Sequence, residues 1–245
     1  MRRAPLMRAF VIPFIPPPDY PRIKVVSRFD ELVTTPLDGG VNALCWARAL
    51  PGNFSEVVEQ LAVGEGITTL DDTRLRALCL SAAGREAVEV LLEDQRLLRT
   101  LGVSPVLDCI DGYLRDEDAI IATDVYSFHA DSAPVQTDTY LCSYNEPATE
   151  GLRNDEALRR VDIPETRAEL LRRFGGNDDE EFLEYLNEHC YDLHYAPVAG
   201  ARPFSFGLGN LWRLAVEYPG SPVPPCVHRA PETVPGQPPR LLLIS

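Results

Sequence analysis

From Pro105 onward the chain changes character, as short apolar or alternating runs bounded by turn-forming residues replace the helix-periodic stripes of its first part. Val106-Leu107-Asp108-Cys109-Ile110, Ala119-Ile120-Ile121-Ala122-Thr123, Thr139-Tyr140-Leu141-Cys142-Ser143-Tyr144, Leu211-Trp212-Arg213-Leu214-Ala215-Val216 and Arg240-Leu241-Leu242-Leu243-Ile244 each read as strands. Segments this short bury apolar surface only by pairing with one another, so the second half is expected to be rich in sheet. Between the third and fourth runs the sequence turns polar and helical, from Thr166 to Phe174 and again from Asp178 to His189. The acidic start Asn177-Asp178-Asp179-Glu180-Glu181 suits the positive end of a helix. This stretch is expected to be an insertion of about 153–205 between strands.

The N-terminal portion reads differently. Residues 1–22 are dense in proline, with Pro16-Pro17-Pro18 at their centre, and predict an extended arm. Residues 23–104 predict a mainly helical part. Asn53-Phe54-Ser55-Glu56 offers a cap ahead of Val57, Val58 and Leu61 at helical spacing. A second helix is expected to begin near Thr69-Leu70-Asp71-Asp72 and to carry Leu75, Leu78 and Cys79. A third should run from about Arg85 to Leu101, with Val88, Leu91, Leu92 and Leu98 on one stripe and Gly102 as its stop. Together these segments predict one α+β domain over 1–245, with N-terminal helices ahead of a β core at 105–245.

Charge and cysteine usage narrow the function classes. Of the 245 residues 23 are basic and 37 acidic, a net charge of −14, which opposes phosphate backbones and anionic lipid. Neither nucleic acid nor a membrane is expected as a partner. The six cysteines are scattered without a C-x-x-C pair, which removes zinc ribbons and thioredoxin-like motifs and predicts buried free thiols. Phe10-Val11-Ile12-Pro13-Phe14-Ile15 is short and interrupted by proline, unlike a secretory core or a membrane span, so a cytoplasmic protein is expected. Oligomeric state is left open.

The chain has only four histidines: His129, His189, His194 and His228. His129 and Asp131 stand two apart at the end of a strand-like segment, and the period of two turns both side chains to one face. An imidazole and a carboxylate so placed suit a divalent first-row metal. A second imidazole would complete the facial arrangement of two histidines and one carboxylate, which favours Fe(II) and leaves positions open. His228, after the proline-rich loop 218–225, supplies that third ligand in this reading. Arg240 opens the last strand, where a guanidinium pairs with a carboxylate reaching in from the metal. His189 and His194 are expected at the surface or at a helix end, and Trp46 and Trp212 in the core.

His129-x-Asp131, His228 and Arg240 together resemble the H-x-D…H…R signature of the Fe(II)/2-oxoglutarate-dependent oxygenase superfamily, whose core is a double-stranded β-helix of the jelly-roll or cupin type. Tyr126, three before the histidine, is similar to the Y-x-x-H-x-D form of prolyl-hydroxylase-like members, and Thr139 to Asn145 resembles the strand that follows. Thr149-Glu150-Gly151-Leu152 is similar to the family's G-G-E-like turn. The resemblance covers about 105–245. It implies iron bound by His129, Asp131 and His228, with the distal carboxylate of 2-oxoglutarate on Arg240, helped by a hydroxyl of Tyr140 or Tyr126. It further implies O2-driven hydroxylation of a small molecule, amino acid or peptide side chain, with succinate and carbon dioxide released. Two other readings stand beside it: a non-catalytic metal- or ligand-binding protein on the same fold, and a cupin-type enzyme that dispenses with Arg240.

Overall fold

The computed structural model describes residues 14–115, 121–189, 193–234 and 236–245. In chain order it forms β1 (Ile23–Val26), α1 (Phe29–Thr34), β2 (Ala43–Trp46), α2 (Phe54–Leu61), β3 (Gly66–Thr69), α3 (Asp72–Arg76), α4 (Ala82–Arg99) and β4 (Val106–Asp111). Then follow β5 (Phe128–His129), β6 (Asp138–Ser143), β7 (Glu150–Gly151), β8 (Ala157–Arg159), α5 (Pro164–Phe174) and α6 (Glu180–Glu188). The last elements are β9 (His194–Pro197), β10 (Phe204–Ser205), β11 (Leu211–Ala215), β12 (His228–Arg229) and β13 (Arg240–Ile244). The result is a mixed α+β structure. None of its helices is long and apolar enough to cross a membrane.

The strands form two sheets. A seven-stranded sheet runs β1-β2-β11-β6-β13-β4-β3, and a six-stranded sheet runs β10-β7-β12-β5-β9-β8. All pairs are antiparallel except β1 with β2. Central strands of the larger sheet are apolar on both faces because both are covered, and their alternation divides the core in two. Ala43, Cys45, Ile110, Leu141, Trp212, Leu214 and Leu242 pack with Phe206 and Cys226 on the face turned to the smaller sheet. Leu44, Leu107, Tyr140, Cys142, Leu211, Leu241 and Leu243 pack on the other face, against Val57, Val58 and Leu61 of α2 and Val88, Leu91 and Leu98 of α4.

These helices start where side chains satisfy their free N–H groups. Asn53 accepts from Glu56 N (3.3 Å), Asp71 from Arg74 N (2.7 Å) and Ser81 from Gly84 N (3.2 Å). Behind the sheet, Arg48 binds Asp94 with both terminal nitrogens (2.6 and 2.5 Å), and the Tyr144 hydroxyl donates to the same carboxylate (2.7 Å). Cys45, Cys109, Cys142 and Cys226 are buried free thiols, while Cys79 is exposed.

Several expectations need correction. The part 23–104 carries the helices α1 to α4 but also three strands, β1, β2 and β3, which extend the larger sheet at both edges. At four residues each they are too short to display a period. The second helix, α3, ends at Arg76, so Leu78 and Cys79 lie beyond it. Ala119 and Ile120 fall outside the described residues, and the rest of that expected strand, Ile121 to Thr123, is irregular. Glu150–Gly151 is a strand rather than a turn, paired with β10 and β12. The insertion is more than helical, since β8, β9 and β10 come from it and complete the smaller sheet.

Candidate metal centre

Cross-strand register builds this site. β12 pairs with β5 so that His228 stands opposite His129, and their ring centroids are 4.6 Å apart. Two residues beyond His129 the chain leaves the strand but stays anchored, because Ala130 N donates to Leu193 O and the carbonyl of Asp131 accepts from Glu217 N. The Asp131 carboxylate therefore lies between the two rings. Its Oδ1 is 3.9 Å from His129 Nε2 and its Oδ2 is 3.9 Å from His228 Nε2. One ligand atom from each residue lies within 4.8 Å of the others, a spacing suited to a first-row divalent cation bonded at about 2.0–2.2 Å.

The groups behind these ligands orient them. His129 Nδ1 is 2.8 Å from Ser127 O and His228 Nδ1 is 3.3 Å from Cys226 O. Backbone carbonyls accept only from a protonated nitrogen, so each ring keeps its proton on Nδ1 and offers Nε2 to a metal. Thr139 Oγ1 donates to Asp131 Oδ2 at 2.5 Å, an interaction that no local motif announces. Burial, joined by the neighbouring His228, lowers the His129 pKa to about 4. Burial pushes the Asp131 carboxyl up, but the attraction of His228 and the Thr139 bond outweigh it and hold it below its usual value. A neutral imidazole beside an ionised carboxylate is the protonation state that metal ligation requires.

Gly151 makes room beside His228. The two are cross-strand neighbours, and a Cβ on Gly151 would lie 2.4 Å from Phe204 Cζ and 2.6 Å from Phe206 Cε1. Phe206 in turn stacks on Trp212 at 4.2 Å and lies 6.4 Å from the His228 ring, forming an apolar flank.

Arg240 opens β13 on the face that carries Leu242 toward the smaller sheet. It is 5% exposed. Its Nε donates to Pro147 O (2.9 Å) and one terminal nitrogen to Thr149 Oγ1 (3.2 Å), while Nη1 is buried without a partner. Among the described residues no carboxylate forms an ion pair with it. Burial pulls its pKa down, opposed by the Tyr113 and Tyr126 hydroxyls. Tyr126 thus belongs to the surroundings of Arg240, although its own hydroxyl is engaged by Tyr113 N (2.9 Å) and Thr233 Oγ1 (2.7 Å).

Tyr140 is placed elsewhere. Thr139 and Leu141 face inward, so Tyr140 faces the helices, and it cannot serve the carboxylate position. His194 also departs from its expected surface role. It is buried in β9 opposite His129, with ring centroids 5.8 Å apart and Nδ1 unpartnered, and burial with the charge of Arg160 lowers its pKa to about 4. Thr139, Thr149, Tyr113 and His194 carry no motif, and only the folded structure reveals them. No family model matches the chain, and neither a curated protein nor a solved structure matches it.

Proposed function

We propose that this chain is an Fe(II)- and 2-oxoglutarate-dependent oxygenase that hydroxylates a small molecule, amino acid or peptide side chain. The observation that carries the reading is the convergence of His129, Asp131 and His228 within 4.8 Å, on the same interior that Arg240 enters with an unpaired nitrogen. Topology supports it. β4 pairs with β13, β5 with β12, β6 with β11 and β7 with β10, the nested order of a jelly roll, and so of a double-stranded β-helix.

The residues present fit both groups. Two imidazoles and a carboxylate leave coordination positions open, as in non-haem iron sites. A buried guanidinium without a counter-ion is costly, and a carboxylate from a cosubstrate relieves that cost. Arg240 would hold the distal carboxylate through Nη1, while Pro147 O and Thr149 Oγ1 fix the plane of the guanidinium. Ser127 and Cys226 carbonyls keep the imidazole protons on the outer nitrogens, and Thr139 fixes the rotation of Asp131. Phe206 and Trp212 exclude water from one flank. Iron and 2-oxoglutarate, when bound, supply the oxidising power for O2-driven hydroxylation.

Incubation of the purified chain with Fe(II), ascorbate and 2-oxoglutarate tests the reading, with succinate and dioxygen uptake as readouts. Succinate formation that requires both additions is expected. Failure to bind either iron or 2-oxoglutarate removes the proposal. Metal binding without 2-oxoglutarate affinity or dioxygen uptake leaves the non-catalytic metal-binding alternative in its place.

A further inference from the structure

A second set of unpartnered polar atoms lies apart from Arg240. A cavity of about 240 Å³ is lined by Arg115, Asp124, Ser127, Arg160, Arg229 and Glu232, together with apolar side chains. Its charges are unevenly matched. Arg115 is paired with Glu232 at 2.5 Å and Arg229 with Glu150 at 2.7 Å. One oxygen of Asp124, Oδ1, accepts from the backbone N–H groups of Tyr126 (2.9 Å) and Ser127 (3.2 Å), and the carboxylate attracts Arg160 without forming an ion pair with it. Arg160 is left over: its side chain has no hydrogen bond or ion pair among the described residues, and its Nε is buried without a partner. Ser127, only 7% exposed, has a buried hydroxyl that also lacks a partner.

Two unsatisfied donors on one cavity wall are expensive for a folded chain to keep, because each forfeits its hydration without replacement. A guanidinium N–H and a hydroxyl that line one cavity are complementary to the oxygens of a phosphate or carboxylate. We infer that this cavity is a binding site for a small oxyanion, held by Arg160 and Ser127 and framed by the paired Arg115 and Arg229. The chain as a whole carries −14, so the site is a local exception to a field that repels anions. Burial lowers the pKa of Arg160, and the charge of Asp124 opposes this only in part. This inference is independent of the metal reading, although Ser127 also presents its carbonyl to His129.

Calorimetric titration of the metal-free, full-length chain with inorganic phosphate tests it. One saturable site is expected, weakened about tenfold or more in Arg160→Gln and less in Ser127→Ala, and largely retained in Arg160→Lys. Since Arg160 has no hydrogen bond or ion pair to lose among the described residues, Arg160→Gln should melt close to wild type in phosphate-free buffer. Added phosphate should raise the melting temperature of wild type alone. Absent phosphate binding, or equal binding by wild type and Arg160→Gln, overturns the inference. So does binding lost in Arg240→Met but kept in Arg160→Gln, which would put the anion at Arg240. The acidic run Asp116-Glu117-Asp118 follows Arg115 in the sequence. Binding seen only after those three are neutralised would overturn the inference in favour of a self-ligand.

Discussion

Arg48 and Arg240 are both buried against the same large sheet, one on each face, and they are treated in opposite ways. Arg48 meets the carboxylate of Asp94 with two nitrogens, Gly209 O with Nε (2.7 Å), and stands over the Trp46 ring. Burial pulls its pKa down, but the bond to Asp94 together with the electrostatic pull of Cys142, Asp94 and Tyr144 outweighs burial and raises it. Arg240 has carbonyl and hydroxyl partners, no carboxylate and one orphaned nitrogen, so burial wins and its pKa falls. A cation that completes its own ion pair belongs to the architecture. One that is buried with its counter-ion missing is prepared for something the chain does not contain.

The largest effect is therefore expected behind the sheet. Asp94→Asn removes the charge that Arg48 needs and leaves an uncompensated guanidinium in the core, at a cost of about 3–5 kcal/mol. Urea unfolding measures it, and a cost under about 1 kcal/mol would erase the contrast between the two arginines. Arg240→Met should behave in the reverse sense. The melting temperature should stay close to wild type, because an unpaired buried charge is exchanged for apolar volume, while 2-oxoglutarate affinity should fall about a hundredfold or more. Calorimetry with the cosubstrate decides. An unchanged affinity would support the reading in which Arg240 is dispensable.

Protonation sharpens the same contrast on the side of the smaller sheet. Burial lowers both His129 and His194 to about 4, from an ordinary value of 6.5. Between those values the unfolded chain binds protons that the folded chain refuses, so stability rises with pH across that window. It is fully present above about 6.5 and is lost as the pH falls through about 4. The metal-free chain should melt at progressively lower temperature from pH 7 to pH 4.5, and His194→Gln should flatten part of that slope. Equal slopes in the two proteins would show that His194 is not held neutral by burial. In the Arg48 region the guanidinium keeps its charge throughout this range, so no comparable slope is expected from it.

What could be seen in advance follows the length of the elements. β4, β6, β11 and β13 are five or six residues of apolar sequence, and Asn53 and the Asp71 segment mark the starts of their helices locally, whereas the cap at Ser81 lies ahead of the expected start near Arg85. The smaller sheet is different: β5, β7, β10 and β12 are two residues each, below any periodic signal, and exist only through their partners. His129, Asp131, His228 and Arg240 stood out because their residue types are rare in such positions, not because the pairing was readable. His194 and Thr139 act through register with distant strands, and register is not written locally.

Tyr140 shows how much one residue of parity matters, and it gives the smallest expected effect. β6 is covered on both faces, so its apolar run carries no alternation from which to choose the inward set. The bond from Thr139 to Asp131 makes that choice: Thr139, Leu141 and Ser143 turn to the metal centre, and Tyr140 turns to the helices. Removing the hydroxyl in Tyr140→Phe should leave 2-oxoglutarate affinity within about twofold and stability within about 1 kcal/mol, because this hydroxyl makes no hydrogen bond among the described residues. Thr139→Val keeps the volume on the neighbouring position but removes the bond that fixes Asp131, and should weaken metal binding about tenfold or more. Metal titrations of the two variants, one residue apart, measure the parity directly. Equal losses in both would mean that β6 presents the other face.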